Sequence, residues 1–223
     1  EELPVFKLPT KIYGGYDRFV QKIIKRFSLG KTLGVHLTGE KGSGKTILSQ
    51  KIAQEINLPV ILINERFVDS DFISFITNIE QECVILLDEF DKHYRDESDQ
   101  VELLQLLDCN FTTPKLFVLT SNNNTTSKFL NNRPSRLFYA KDFTEASDEL
   151  IKEILDDKLE NHEFFEDCVN TISEYDVYNI DSILSLINEV NFCNEPASEV
   201  IKDMNLKVSE TGIFNYFAED NTP

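Results

Sequence analysis

Residues Gly39-Glu40-Lys41-Gly42-Ser43-Gly44-Lys45-Thr46 read G-x-x-x-x-G-K-[ST], a spacing whose chemistry is the binding of a phosphate chain. Glycines permit a tight turn and let backbone N–H groups approach an anion closely. Lys45 is placed to reach β- and γ-phosphates, and the Thr46 hydroxyl to hold Mg²⁺. The flanking residues suit the motif. Leu33 to Thr38 is short, apolar and β-prone, and Ile47, Leu48, Ile52, Ala53 and Ile56 recur at helical spacing. Strand, glycine loop and helix in that order set a helix N-terminus against the anion, so the binding run extends from Gly39 through Ile47.

A second segment supplies acids. Cys83-Val84-Ile85-Leu86-Leu87-Asp88-Glu89 is an apolar run ending in two carboxylates. Delivered at the tip of a buried strand, Asp88 binds Mg²⁺ directly or through water, and Glu89 orients and deprotonates an attacking water. Taken alone, the same residues also read as a buried strand running into a solvated acidic turn.

The two motifs in this order resemble the Walker A and Walker B elements of AAA+ ATPases, and the resemblance runs from about Ile12 to Phe192. It implies an α/β fold: a P-loop NTPase core with a parallel five-stranded sheet in the order 5-1-4-3-2, followed by a small all-helical lid. It also implies ATP and Mg²⁺ as ligands. Lys115 to Asn122 is similar to the sensor 1 strand, which makes Asn122 the group that contacts the γ-phosphate or the water. Asn131-Asn132-Arg133-Pro134-Ser135-Arg136 resembles the family's R-P-G-R box. Arg133 and Arg136 are then arginine fingers serving a neighbouring subunit's site. Leu103 to Asp108 resembles the helix between Walker B and sensor 1. Tyr13 and Gly14 fall where relatives pack against adenine. Each weaker segment has a plainer reading: a turn at Asn122, surface arginines beside a proline, a surface turn at Tyr13 and Gly14.

Periodicity supplies the elements that must position these groups. It predicts a helix from Tyr16 to Phe27 with Phe19, Val20, Ile23, Ile24 and Phe27 on one face. Strands are expected at about 33–38, 59–64, 83–88, 115–121 and 137–140, with helices at about 46–56, 70–82, 97–107 and 126–131. Alternation of this kind implies a parallel sheet covered on both faces, with sites at the strands' C-terminal ends. After residue 143 the pattern is helical only, at about 146–159, 161–173, 180–191 and 195–204, with Thr144 or Ser147 as the first cap. The expected domains are 1–142 for the nucleotide-binding unit, 143–205 for the lid and 206–223 for a tail. Ile213, Phe214, Tyr216 and Phe217 make that tail either a strap on the lid or a motif for a partner.

Charge divides the chain at the same place. Residues 1–142 hold 18 Lys+Arg and 19 Asp+Glu, whereas 143–223 hold 4 and 20, together giving the net −17. An acidic second region argues against nucleic-acid binding through it, since phosphate attraction needs Lys and Arg. It reads as a solvated helical surface or as a dock for a basic partner. No apolar stretch approaches the ~20 residues that cross a bilayer, and no signal peptide is recognisable, so the expected location is cytoplasmic. The four cysteines lack C-x-x-C spacing and read as free thiols; His36 reads as a satisfied core histidine.

Subfamily features are fewer. Tyr178 to Leu184, where many AAA+ branches carry the sensor 2 arginine, has no Lys or Arg. That resembles the branch whose members mostly remodel proteins. Phe67-Val68 occupies the position of a pore-loop pair, although Asp69 replaces the usual glycine and Phe67 reads equally as a core cover. Asn64 is placed to restrain Glu89. The chain starts Glu-Glu rather than Met, which leaves room for a preceding segment; its residues carry no recognisable adaptor or protease domain. The pairing of DEFDK with NRPSR resembles small AAA ATPases of tailed bacteriophages, which would make the location a host cytoplasm. The resemblance implies a homo-oligomeric ring, expected as a hexamer, that uses ATP hydrolysis to remodel a protein partner. Two alternatives stay open: a nucleic-acid factor of the helicase-loader or transposition-helper type, and a nucleotide-gated assembly protein with slow turnover.

Overall fold

The computed structural model describes residues 6–67, 70–96, 98, 100, 106–122, 137–143 and 145–206. The chain divides into two compact units, Glu1–Thr144 and Glu145–Pro223. The first is α/β. Its elements run α1 (Asp17–Phe27), β1 (Leu33–Gly39), α2 (Lys45–Ile56), β2 (Val60–Ile63), α3 (Ser70–Thr77), β3 (Cys83–Leu87), α4 (Phe90–His93), β4 (Lys115–Ser121) and β5 (Tyr139–Phe143). The strands form one parallel sheet in the order β2-β3-β4-β1-β5, which is the expected 5-1-4-3-2 read from the other edge.

A parallel sheet covered on both faces needs apolar side chains on both, so the inner strands β1, β3 and β4 are buried without alternation, whereas the edge strand β5 carries Lys141 and Asp142 and is buried only in part. Successive residues still point to opposite sides. Val84, Leu86, Leu116 and Val118 join Leu33, Val35 and Leu37 in a core shared with α1 and α2. Ile85, Leu87, Phe117 and Leu119 face the other way, into a core with Ile76, Phe90, Tyr94 and Leu106. Each fully buried residue of this kind contributes roughly 1.5–3 kcal/mol. The surface pair Lys51–Asp17, at 2.7 Å between α2 and α1, contributes under about 1 kcal/mol. The sheet interior therefore dominates stability.

Several boundaries differ from the periodic reading. The apolar run expected as helix to residue 82 stops at Thr77. There the Thr77 hydroxyl donates back to Ile73 and Ser74 carbonyls, at 2.9 and 3.0 Å. Beyond it, the fully buried Lys115 ammonium gathers the carbonyls of Ile79 and Gln81, both at 3.0 Å, and of Thr113 at 2.9 Å. Carbonyls held by a lysine are not available to a helix. The last strand lies at Tyr139–Phe143 instead of 137–140, because its pairing with Val35–Gly39 of β1 fixes the register. A one-turn helix, α4, follows Glu89. The expected helix at 126–131 and most of that at 97–107 lie outside the described residues.

His36 lies in β1, and its Nε2 meets Ser121 Oγ of β4 at 2.9 Å. Burial pushes its pKa down to about 4, with Asp142 pulling weakly the other way.

The second unit is helical in its described residues: α5 (Asp148–Lys158), a 3-10 turn (His162–Phe164), α6 (Phe165–Glu174), α7 (Ile180–Cys193), α8 (Ala197–Val200) and a 3-10 turn (Ile201–Asp203). Ser147 caps α5, accepting a hydrogen bond from Leu150 N at 3.3 Å. Buried Ile151, Ile154, Ile172, Ile183, Leu186 and Ile187 form the inner faces of these helices. Thr144 and residues 207–223, with Ile213, Phe214, Tyr216 and Phe217, lie outside the described residues.

Two predictions follow from these buried polar groups. Lys115→Met should leave the Gln81 and Thr113 carbonyls without this donor and the Ile79 carbonyl with only the Thr113 hydroxyl at 3.2 Å, costing at least about 1 kcal/mol and lowering the melting temperature by at least about 2 °C. An unchanged melting temperature would show that the ammonium is dispensable. For His36, the folded pKa lies below the unfolded value near 6.5. Its contribution, about 3 kcal/mol, is therefore complete above pH 6.5 and is lost as pH falls from there towards 4. The His36 ring signals in an NMR titration should stay those of neutral imidazole down to about pH 5; a midpoint near the ordinary value would contradict the burial.

Candidate nucleotide site

β1 ends at Gly39, and the chain turns through residues 40–44 into α2. Gly39 has φ +139°, and a Cβ there would stand 2.7 Å from Phe143 Cβ and nearer still to the Phe143 carbonyl oxygen. Only glycine lets β1 end this close to β5. Gly44 precedes α2 in a left-handed conformation, and no side chain caps the helix. No acidic residue occupies its first turn. The opening N–H groups of a helix have no intrahelical acceptors, and the helix dipole adds partial positive charge there. An uncapped, acid-free N-terminus behind a glycine turn is a donor set that fits phosphate oxygens.

Lys45 bends back over its own loop. Its Nζ donates to Gly39 O at 2.8 Å, Glu40 O at 2.6 Å and Ser43 Oγ at 3.4 Å, and the residue is buried. Ser43 N closes the loop onto Glu40 O at 3.3 Å. Burial lowers the Lys45 pKa, opposed by the carboxylates of Asp91, Asp88, Glu89 and Glu40. Lys41 and Glu40 are exposed, and Gly42 is half-buried.

β3 delivers Asp88 and Glu89. The Thr46 hydroxyl donates to Asp88 Oδ1 at 3.0 Å and lies 3.3 Å from Oδ2. From β4, the Thr120 hydroxyl donates to the same Oδ1 at 2.6 Å, while Glu89 N donates to Thr120 Oγ1 at 2.8 Å. A hydroxyl beside a carboxylate is an oxygen-only donor pair and fits a hard cation such as Mg²⁺, which keeps waters and substrate phosphates as its other ligands. No cluster of three or more His, Cys, Asp or Glu with metal-binding geometry occurs among the described residues.

Glu89 has φ +47°, left-handed for a non-glycine residue. Its Oε2 pairs with Lys92 Nζ at 2.7 Å. This hydrogen bond lowers the Glu89 pKa, burial opposes it, and the charges of Lys92, His93 and Lys41 add to the lowering. Lys92 is 58% exposed, so the pair is weakly held and readily exchanged for water. Asn64 is exposed beyond β2, and Lys92 is the residue that holds Glu89 here.

Asn122 follows β4, the strand between β1 and β3, and so lies between the phosphate loop and the acids. Its N–H donates to Asp91 Oδ1 at 3.0 Å. Of the residues singled out in the sequence, Lys45, Thr46, Asp88 and Glu89 are thus brought together. Ile47 is exposed. In the segment before α1, Tyr13 is buried with Lys11 Nζ 5.0 Å over its ring, and Gly14 is exposed at φ +94°. Arg133 and Arg136 lie outside the described residues, as do Val68 and Asp69. Phe67 is partly exposed; it stacks on Phe72, and its backbone N–H and C=O both bond the Tyr94 hydroxyl, at 3.2 and 3.1 Å. Sequence reasoning missed Thr120, Asp91 and Lys92. The available signal was parity: Thr120 is a hydroxyl at the end of an apolar strand, alternating with the core residues Leu119 and Val118 on opposite faces.

The AAA family model, ATPase family associated with various cellular activities, matches residues 35–144. A single-residue variant of RuvB from Thermotoga maritima is similar in fold, with a TM-score of 0.57 and 14% identity over 91% of this chain and 68% of that one. The Orc1 protein of Aeropyrum pernix, in a structure with DNA, gives 0.60 and 13% over 93% of this chain and 65% of that one. The chain therefore spans about two thirds of the length of each. At these identities the likeness is one of fold. No curated protein matches the chain by sequence. Its family match begins inside β1, takes in the phosphate loop and both acids, and ends just past β5, and the chain belongs to the AAA+ family of P-loop ATPases.

Proposed function

We propose that the protein hydrolyses Mg·ATP at this site, as a ring in which a neighbouring copy completes each site, and uses the energy to remodel a protein partner. The observation that carries the hydrolytic reading is the meeting of Thr46 with Asp88, 3.0 Å apart across 42 residues of sequence, beside a lysine folded over a phosphate loop.

Residues Gly39 to Thr46 supply the N–H groups that bind the phosphates. Lys45 trades its loop carbonyls for phosphate oxygens. Thr46 and Asp88 hold the metal ion, which when bound supplies charge that neutralises the phosphate oxygens. Glu89 leaves Lys92, orients the attacking water and accepts its proton. Asn122 donates from its side-chain amide to the γ-phosphate or the water. Arg133 and Arg136 of a neighbour add positive charge only when subunits dock, which ties turnover to assembly. The protein-remodelling role rests on the absence of Lys and Arg from Tyr178 to Leu184 and on a partly exposed Phe67 after β2.

A second reading, action on nucleic acid, draws on the Orc1 likeness, since that protein was solved with DNA. Contacts would have to come from the α/β unit, where 18 basic and 19 acidic residues nearly balance over 1–142.

The test is the ATPase rate per subunit against protein concentration, with and without single-stranded DNA, for wild type and the variants Lys45→Ala, Glu89→Gln, Arg133→Ala and Arg136→Ala. The rate per subunit should rise with concentration and fall by about 10³-fold or more in an arginine variant. Glu89→Gln should keep ATP binding without turnover, and Lys45→Ala should lose binding. A concentration-independent rate indifferent to both arginines would mean a self-contained NTPase. Stimulation by DNA would favour the second reading.

A further inference from the structure

Thr120 is buried near the end of β4, and its hydroxyl is used in both senses: it accepts from Glu89 N at 2.8 Å and donates to Asp88 Oδ1 at 2.6 Å. A hydroxyl carries one proton. With Glu89 N–H pointing at its oxygen, that proton goes to Asp88, so the direction of both bonds is fixed. Asp88 Oδ1 then receives two hydroxyl donors, from Thr120 and from Thr46 at 3.0 Å. Oδ2, 3.3 Å from Thr46, is the oxygen with lone pairs to spare. The same hydroxyl anchors the backbone of Glu89 in its left-handed conformation at φ +47°, one that a residue with a Cβ adopts only when its surroundings impose it.

We propose that Thr120 is a positioning residue for hydrolysis, setting the rotation of the Asp88 carboxylate toward the metal ion and the backbone pose from which Glu89 presents its carboxylate. The inference rests on the reading of this site as a Mg·ATP site. The hydroxyl bonds of Thr120 go to Asp88 and to the Glu89 backbone, so it acts through the two acids. Partners that orient metal ligands commonly change metal affinity or activity by about 10–100-fold when removed.

Three measurements on wild type, Thr120→Val and Thr120→Ser test it. Valine keeps the branched shape and loses the hydroxyl; serine keeps the hydroxyl and loses the methyl. In the nucleotide-free protein, hydrogen exchange of the Glu89 amide should be faster in Thr120→Val by about tenfold or more and near wild type in Thr120→Ser. The gain in affinity for a non-hydrolysable ATP analogue on adding Mg²⁺ should shrink about 10–100-fold in Thr120→Val, while Mg²⁺-free affinity stays within about twofold because the phosphate loop is intact. kcat should fall and KM for Mg·ATP should rise in line with the lost Mg²⁺ gain, and serine should restore both to within about threefold.

A valine variant with wild-type Mg²⁺ gain and kcat would overturn the proposal. So would a serine variant as impaired as valine, since the methyl group would then be what matters. Melting curves show whether the valine variant is folded; if it is not, Thr120→Ala takes its place with the same expectations. Absence of any Mg²⁺ gain and of turnover in wild type would defeat the reading of the site instead, and the exchange rate of the Glu89 amide would still decide whether Thr120 holds that backbone.

Discussion

Two hydroxyls that are 74 residues apart, at Thr46 and Thr120, donate to one oxygen of Asp88. That meeting constrains everything around it. Thr46 opens α2, Asp88 follows β3 and Thr120 ends β4, so three segments have to converge within hydrogen-bonding distance. A parallel sheet achieves this when β4 lies between β1 and β3, because all strands then release their chains on the same edge. The apolar character of the strands follows from the same requirement. A sheet with helices on both faces buries both and gathers polar residues near the strand tips, where Asp88, Ser121 and Asn122 occur; His36, inside β1, is met by Ser121.

Electrostatics at this edge explain what the site requires from a ligand. Lys45 is buried among the carboxylates of Asp91, Asp88, Glu89 and Glu40, which offset the loss of hydration. Acids outnumber this lysine before any substrate arrives. A polyphosphate adds further negative charge, and the helix dipole of α2 supplies only about half a unit of positive charge. An additional cation would offset that charge, and the Thr46–Asp88 oxygens would suit one. Lys92 occupies Glu89 meanwhile, at the cost of an exposed and weak ion pair.

The phosphate loop and the Asp-Glu pair were legible because each has a signature confined to a few adjacent residues; the strand order came only through the family resemblance that those motifs carry. Gly39, Gly44, Lys45 and Thr46 need their types in place whatever the rest of the chain does. Element ends were less legible. The run from Thr77 to Glu82 has helical composition, yet a lysine from residue 115 takes its carbonyls, and no local pattern announces so distant a donor. β5 is similar: its bounds come from pairing with β1, which neither Leu137 nor Phe143 reveals alone. Thr120 was hidden for a related reason. A threonine in an apolar strand is unremarkable in sequence, and its role appears only when Asp88 and Glu89 arrive beside it from the neighbouring strand.

The segment after Asp88 also reaches beyond the acids. Phe90 and Tyr94 bracket the single turn of α4, stack at 5.1 Å and are both buried, which makes this short helix part of the core. A helix this short has little stability of its own; packing holds it. Tyr94 extends the hold outward, since its hydroxyl bonds both the N–H and the C=O of Phe67, and Gln100 fixes Tyr94 in turn through its carbonyl at 2.9 Å. The backbone of Phe67, beyond β2, is thus set from the same few residues that carry Glu89. A shift of Glu89 large enough to move α4 would strain the two Tyr94 bonds, because a stacked, buried pair moves as a unit. Placement of the loop after β2 and placement of the second acid are consequences of one packed segment.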